Sequence, residues 1–166
     1  MSRNAKTIVA IVATIAIFFV LSLIVYFVGS PIAKAVVLKA GSINYSEWVK
    51  HYANLVKIMG AISCILTLIW YVLARFVLKI SAPFAVGRRN LWVILGIINI
   101  VLCIAVPYIY SIVDKKYPMS FAICLLFILC FGIIGYYVCS LFFTPDNYKY
   151  TPIGATKIRG LKRGAK

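Results

Sequence analysis

Acidic side chains are almost missing from this chain. Glu47, Asp114 and Asp146 stand against 18 Lys and Arg in 166 residues, a formal charge of +15. Such an imbalance on a soluble domain would point to nucleic acid. It does not here, because 64% of the residues are hydrophobic and only 13% are charged, where a soluble domain carries roughly 25% charged residues. The mean hydropathy is +1.01. A small domain cannot hide that much apolar surface in its own core. The surrounding solvent must therefore be lipid, and the basic residues are read as marks of membrane orientation and of contact with anionic headgroups. Nucleic acid is not an expected partner.

Catalytic and metal-binding side chains are equally scarce. His51 is the single histidine, so neither a histidine-rich metal site nor a triad can be built around it and its sequence neighbours. The five cysteines, Cys64, Cys103, Cys124, Cys130 and Cys139, all fall in long apolar runs and form no CxxC pair, which favours a role as small apolar fillers. No phosphate-binding glycine loop or nucleophile elbow occurs. No carboxylate lies inside an apolar run, and such embedded charges are what proton relays and coupled transporters depend on. The sequence thus carries no catalytic constellation, and no cofactor or metal is expected.

Long charge-free runs are what the chain does have. They predict spans at about 7–28, 58–77, 90–112 and 119–143, each near the roughly 20 residues needed to cross about 30 Å of hydrocarbon. The runs are apolar on every side, so they read as helices and not as the alternating strands of a membrane barrel. The first run is longer than the apolar core of a cleaved leader, and Pro31 would follow the cut directly, so it reads as a retained anchor. The expected fold is an all-α integral membrane bundle of four transmembrane helices. It has an outer loop at 29–57, a cytoplasmic loop at 78–89 and a basic cytoplasmic tail at 144–166.

Twelve of the 18 basic residues fall on the side shared by the two ends of the chain and the loop around "RFVLKISAPFAVGRRN" (75–90). The positive-inside rule then places both termini in the cytoplasm, most simply of a bacterial inner membrane. Pro83 and Gly87 break the helices in that loop and allow the second and third spans to form a hairpin. The tail puts Lys157, Arg159, Lys162 and Arg163 at the same surface, where each is worth on the order of 1 kcal/mol against anionic lipid. Arg88 and Arg89 belong to that surface too.

In the outer loop, "YSEWVKHYANLVK" (45–57) has Tyr45, Trp48, Val49, Tyr52 and Val56 at helical spacing, with Ser46 or Asn44 placed to cap its start and Glu47 in the first turn. This amphipathic helix either lies flat at the headgroups or extends the second span. Trp48 and Tyr52 are expected to form a surface for a partner or for lipid.

Within the spans, Gly60, Gly96, Asn99, Gly132 and Gly135 form small or polar stripes of the kind that let helices approach closely, inside a bundle or between copies. Residues 62–76 and 128–142 also align at an offset of 66, pairing Cys64 with Cys130 and Tyr71 with Tyr137, which raises an internal duplication of two-helix hairpins. The absence of chemistry points to a non-catalytic scaffold or anchoring subunit with a protein partner or further copies of itself. The alternative is an oligomeric pore or small-solute facilitator lined in part by Asn99.

Overall fold

The computed structural model describes residues 3–40, 44–77, 89–113, 120–145, 148 and 151–158. All regular structure among them is helical. Helix α1 covers Arg3–Ala40, and α2 covers Tyr45–Val72 and runs on in a wider π turn, Leu73–Val77. Helix α3 covers Arg89–Val113. Helix α4, Phe121–Phe143, is α-helical at both ends and π-helical over Ile128–Val138. A short α5, Ala155–Ile158, follows. Four stretches, Ala5–Ile32, Tyr45–Val77, Arg89–Tyr110 and Phe121–Phe143, are long and apolar enough to cross a membrane.

The described residues leave much less of the first outer loop than expected. Helix α1 continues through Pro31 to Ala40, because "IAKAVVLKA" after the proline favours helix and Ser30 Oγ donates to the Tyr26 carbonyl at 2.6 Å, one of the ways a spanning helix accommodates a proline. Helix α2 begins at Tyr45. Asn44 caps it by accepting from the Ser46 backbone N–H at 3.1 Å, and Glu47 sits in its first turn.

The predicted amphipathic helix is thus the N-terminal end of α2 and not a separate element. The reason lies in the phase of its apolar stripe. Trp48, Tyr52, Val56, Met59, Ser63, Thr67, Trp70 and Ala74 follow one another at three- and four-residue steps, and all are buried. The stripe runs past Lys57 without changing face, so one continuous helix satisfies both halves.

Antiparallel packing of α1 on α2 sets Gly29 against the Tyr52 hydroxyl and Gly60 against Ser22 and Phe131. Helix α4 closes the other side through Phe18 and Phe131, whose stacked rings are 6.5 Å apart. A larger core gathers Val25, Trp48, Tyr52, Phe127 and Phe131. A smaller one, at the end where α2 and α4 finish, gathers Trp70, Trp92, Tyr136 and Tyr148. The two segments aligned as a possible repeat share a face at one end only: Trp70 and Ala74 are buried like their counterparts Tyr136 and Ser140, whereas Ser63 and Thr67 are buried and their counterparts Leu129 and Ile133 are exposed.

Candidate functional site

Asn99 occupies the middle of the bundle and is fully buried. Its Oδ1 accepts from Ser63 Oγ on α2 at 2.7 Å, and its Nδ2 donates to the Phe131 carbonyl on α4 at 3.2 Å. One amide therefore ties three helices together. Its attachment point on α4 lies inside the π-helical stretch, where the wider turn changes how backbone carbonyls are aimed.

The glycines singled out in the spans lie close to side chains of neighbouring helices. A Cβ on Gly135 would come within 2.6 Å of the Phe18 ring, one on Gly96 within 3.0 Å of Tyr136, and one on Gly132 within 3.3 Å of Ile100.

Polar side chains concentrate where the second, third and fourth helices end together. Trp70 Nε1 donates to Thr144 Oγ1 at 3.0 Å, and Trp92 Nε1 donates to Ser140 Oγ at 2.9 Å. Tyr136 donates its hydroxyl to the Trp92 carbonyl at 2.7 Å. Ser140 and Thr144 in turn donate back along the helix, to the carbonyls of Tyr137 and Ser140. Each hydroxyl thus receives an indole N–H and passes its own proton on, so buried polar groups find partners as they must in a low-dielectric setting. Tryptophans near the ends of spanning helices commonly sit at the lipid–water interface with the N–H group in water; these two are buried and bonded inside the bundle instead.

The tail folds back onto this end. Tyr148 is fully buried, edge-on to Trp70. Thr151 is fully buried too, its backbone N–H bonded to the Tyr148 carbonyl at 2.8 Å and its own carbonyl taking Arg89 Nε at 3.2 Å. Tyr137 donates its hydroxyl to the Ile153 carbonyl at 2.5 Å. Gly154 then turns the chain with φ of +79° into α5. The tail beyond 143, expected as a charged extension, is in its described part a fastened cap.

Beside the cap, Lys6 from α1 and Arg75 from α2 stand at a cleft of about 240 Å³, completed by Tyr71, Phe142, Thr144 and Pro145. Lys157 is exposed on α5. Two cations at a shallow cleft suit an acidic group on a protein or a headgroup.

Three residues expected at a partner or lipid surface are placed elsewhere. Trp48 and Tyr52 are fully buried. Trp48 stacks on Tyr52 at 5.1 Å, Tyr52 on Phe127 at 6.2 Å, and the Tyr52 hydroxyl donates to the Val25 carbonyl at 2.8 Å. Their large rings are claimed by α1 and α4, which come over that face of α2. Arg89 is half-buried and holds the tail. Arg88, Arg159, Lys162 and Arg163 lie outside the described residues.

His51 pairs with Tyr110 through Nδ1 and the hydroxyl at 2.6 Å, joining α2 to α3. Among the described residues, no three His, Cys, Asp or Glu side chains gather as a metal site. Comparison with family models, with curated proteins and with solved structures yields no match.

The sequence held signals for part of this site that composition alone does not weigh. Trp70 and Trp92 each carry an N–H that a buried ring must satisfy, and Ser140 and Thr144 lie one turn apart at the end of α4. Tyr148 follows Pro145 at turn spacing. The Lys6–Arg75 cleft carried no local signal, because its two cations come from different helices.

Proposed function

We propose that this protein is a non-catalytic scaffold or anchoring subunit of a larger membrane-associated assembly. We place it in a bacterial cytoplasmic membrane with both ends of the chain in the cytoplasm, as the distribution of basic residues favours. The observation that carries the reading is the fastened tail. Tyr148, Thr151 and Ile153 are held to the bundle by Trp70, Arg89 and Tyr137, so the basic end of the chain departs from a fixed point. That point belongs to the bundle end that carries Lys6 and Arg75. A rigid cationic platform suits docking of an acidic segment of a partner protein, with steering that salt weakens.

Asn99 supports the same reading from the other direction. Its amide is engaged on both sides within one chain, so a pore built from several copies is left without the residue assigned to line it.

The test is quantitative mass spectrometry of the tagged full-length protein, purified in mild detergent at native abundance. A partner recovered at fixed stoichiometry, and reduced in the Lys6→Gln and Arg75→Gln variants and at high salt, is the expected result. The reading fails if wild type brings down no stoichiometric partner while reconstituted vesicles conduct ions.

A further inference from the structure

Between α1 and α2 the bundle has an open groove of about 540 Å³. Its walls are Ile15, Phe19, Leu23 and Ala61, and its floor is Phe18, Val56 and Gly60. Of its two hydroxyls, that of Ser22 is turned back to donate to the Phe18 carbonyl at 2.8 Å and that of Tyr26 belongs to the end with Lys57, so the groove offers apolar contact over the rest of its length. At one end only stands a charge, the ammonium of Lys57, with Tyr26 and Ala53 beside it.

The helix register places that end in the membrane. Gly29 lies against Tyr52, and Gly60 against Ser22, which sets Tyr26 and Lys57 at one level. From Tyr26 down to Ile15 is about 16 Å of helix at 1.5 Å per residue, close to the roughly 15 Å thickness of one hydrocarbon leaflet. Lys6, the basic residue at the opposite end of α1, lies a similar distance beyond Ile15, so the groove begins at the headgroup level on the Lys57 side and closes near the bilayer midplane. Lys57 is exposed. Among the described residues the only carboxylate is Glu47, whose backbone is about 15 Å farther along α2 by the same helical rise.

We propose that this groove binds one anionic phospholipid of the leaflet on the Lys57 side, with an acyl chain laid along Phe18 and Gly60 and the phosphate held by the Lys57 ammonium. Charge and length select this occupant. A helix from another chain would bury Lys57 against an apolar surface and strip its hydration. A lipid with its phosphate at the same height keeps the ammonium paired and hydrated while its tail fills the slot.

The test uses the full-length chain in phosphatidylcholine bilayers, with nitroxide-labelled phosphatidylglycerol or nitroxide-labelled phosphatidylcholine as the probe read by electron paramagnetic resonance. Wild type should immobilise one labelled phosphatidylglycerol per chain, with about a fivefold preference over phosphatidylcholine, the ratio expected for a single lysine at an anionic headgroup. Lys57→Gln should erase the headgroup preference. Ala61→Phe, placed on an exposed groove wall and so outside the core, should fill the slot and remove the immobilised component for both lipids. Equal retention of the two lipids by wild type, a preference that survives Lys57→Gln, or an immobilised fraction unchanged by Ala61→Phe would each overturn the proposal. So would the absence of any immobilised lipid, which is the result if a protein helix or a second copy fills the groove.

Discussion

The Tyr148 ring stands edge-on to Trp70, with centroids 6.2 Å apart and planes at 86°, and this contact seals the end of the bundle. Trp70 has its indole N–H committed to Thr144, at the C-terminal cap of α4, and its ring packed against Tyr148 of the tail. A residue that composition would place at the lipid interface is instead the keystone of a second, smaller core.

Replacing Tyr148 with Ala should therefore release the tail while leaving the four long helices in place. Truncating a large buried aromatic typically costs about 3–5 kcal/mol, and here the loss falls on a local closure. Trypsin cleavage after Lys157, an exposed residue on α5, should accelerate strongly in Tyr148→Ala and less in Tyr148→Leu. Equal cleavage of the variant and wild type would contradict the fastened-tail description.

The Ser63–Asn99 pair can be weighed by a double-mutant cycle. Ser63→Ala leaves Asn99 Oδ1 without its donor, and Asn99→Leu leaves the Ser63 hydroxyl without its acceptor. Each should lower unfolding stability in detergent by about 0.6–2 kcal/mol. The double variant should cost less than the two single losses added together, because neither partner is then left unsatisfied. Simple additivity would mean that the two side chains are not coupled.

Gly135 tests the closeness of α1 and α4. An alanine there would put its Cβ 2.6 Å from Phe18 and 3.2 Å from the Cys130 carbonyl. Gly135→Ala should destabilise the bundle by about 1–3 kcal/mol, the usual cost of overpacking. Phe18→Leu in the same chain should recover part of that loss, read as thermal stability in detergent.

Gly154 carries the one positive φ among the described residues, and a Cβ would meet the Tyr137 hydroxyl at 3.1 Å. Gly154→Val should cost about 1–2 kcal/mol from the left-handed backbone alone. It should also loosen α5, giving faster amide exchange at Lys157 and Ile158 with the spans unaffected.

Much of the architecture was legible from local pattern. The four apolar runs, the end of α4 at Phe143 before Pro145, and a cap at Asn44 or Ser46, of which the structure uses Asn44, follow from hydropathy, proline geometry and capping chemistry, each of which acts within a few residues. The outer loop was overestimated for an equally physical reason. Polar residues such as Lys50, Asn54 and Lys57 signal contact with water but do not stop a helix, and the stripe from Trp48 to Ala74 keeps its phase through them. The partner surface assigned to Trp48 and Tyr52 failed because amphipathic spacing identifies a buried face without saying what buries it.

By itself, then, the sequence determined the solvent and the secondary structure. Transfer of apolar side chains from water and internal satisfaction of backbone groups leave helices in lipid as the outcome, whatever the helices later touch. Only the tertiary structure decided which polar side chains meet: Asn99 with Ser63 and the Phe131 carbonyl, Trp70 with Thr144, Arg89 with Thr151. Those pairings join residues far apart in the chain, and hydrogen bonds depend on distance and direction, which exist only once the helices have packed.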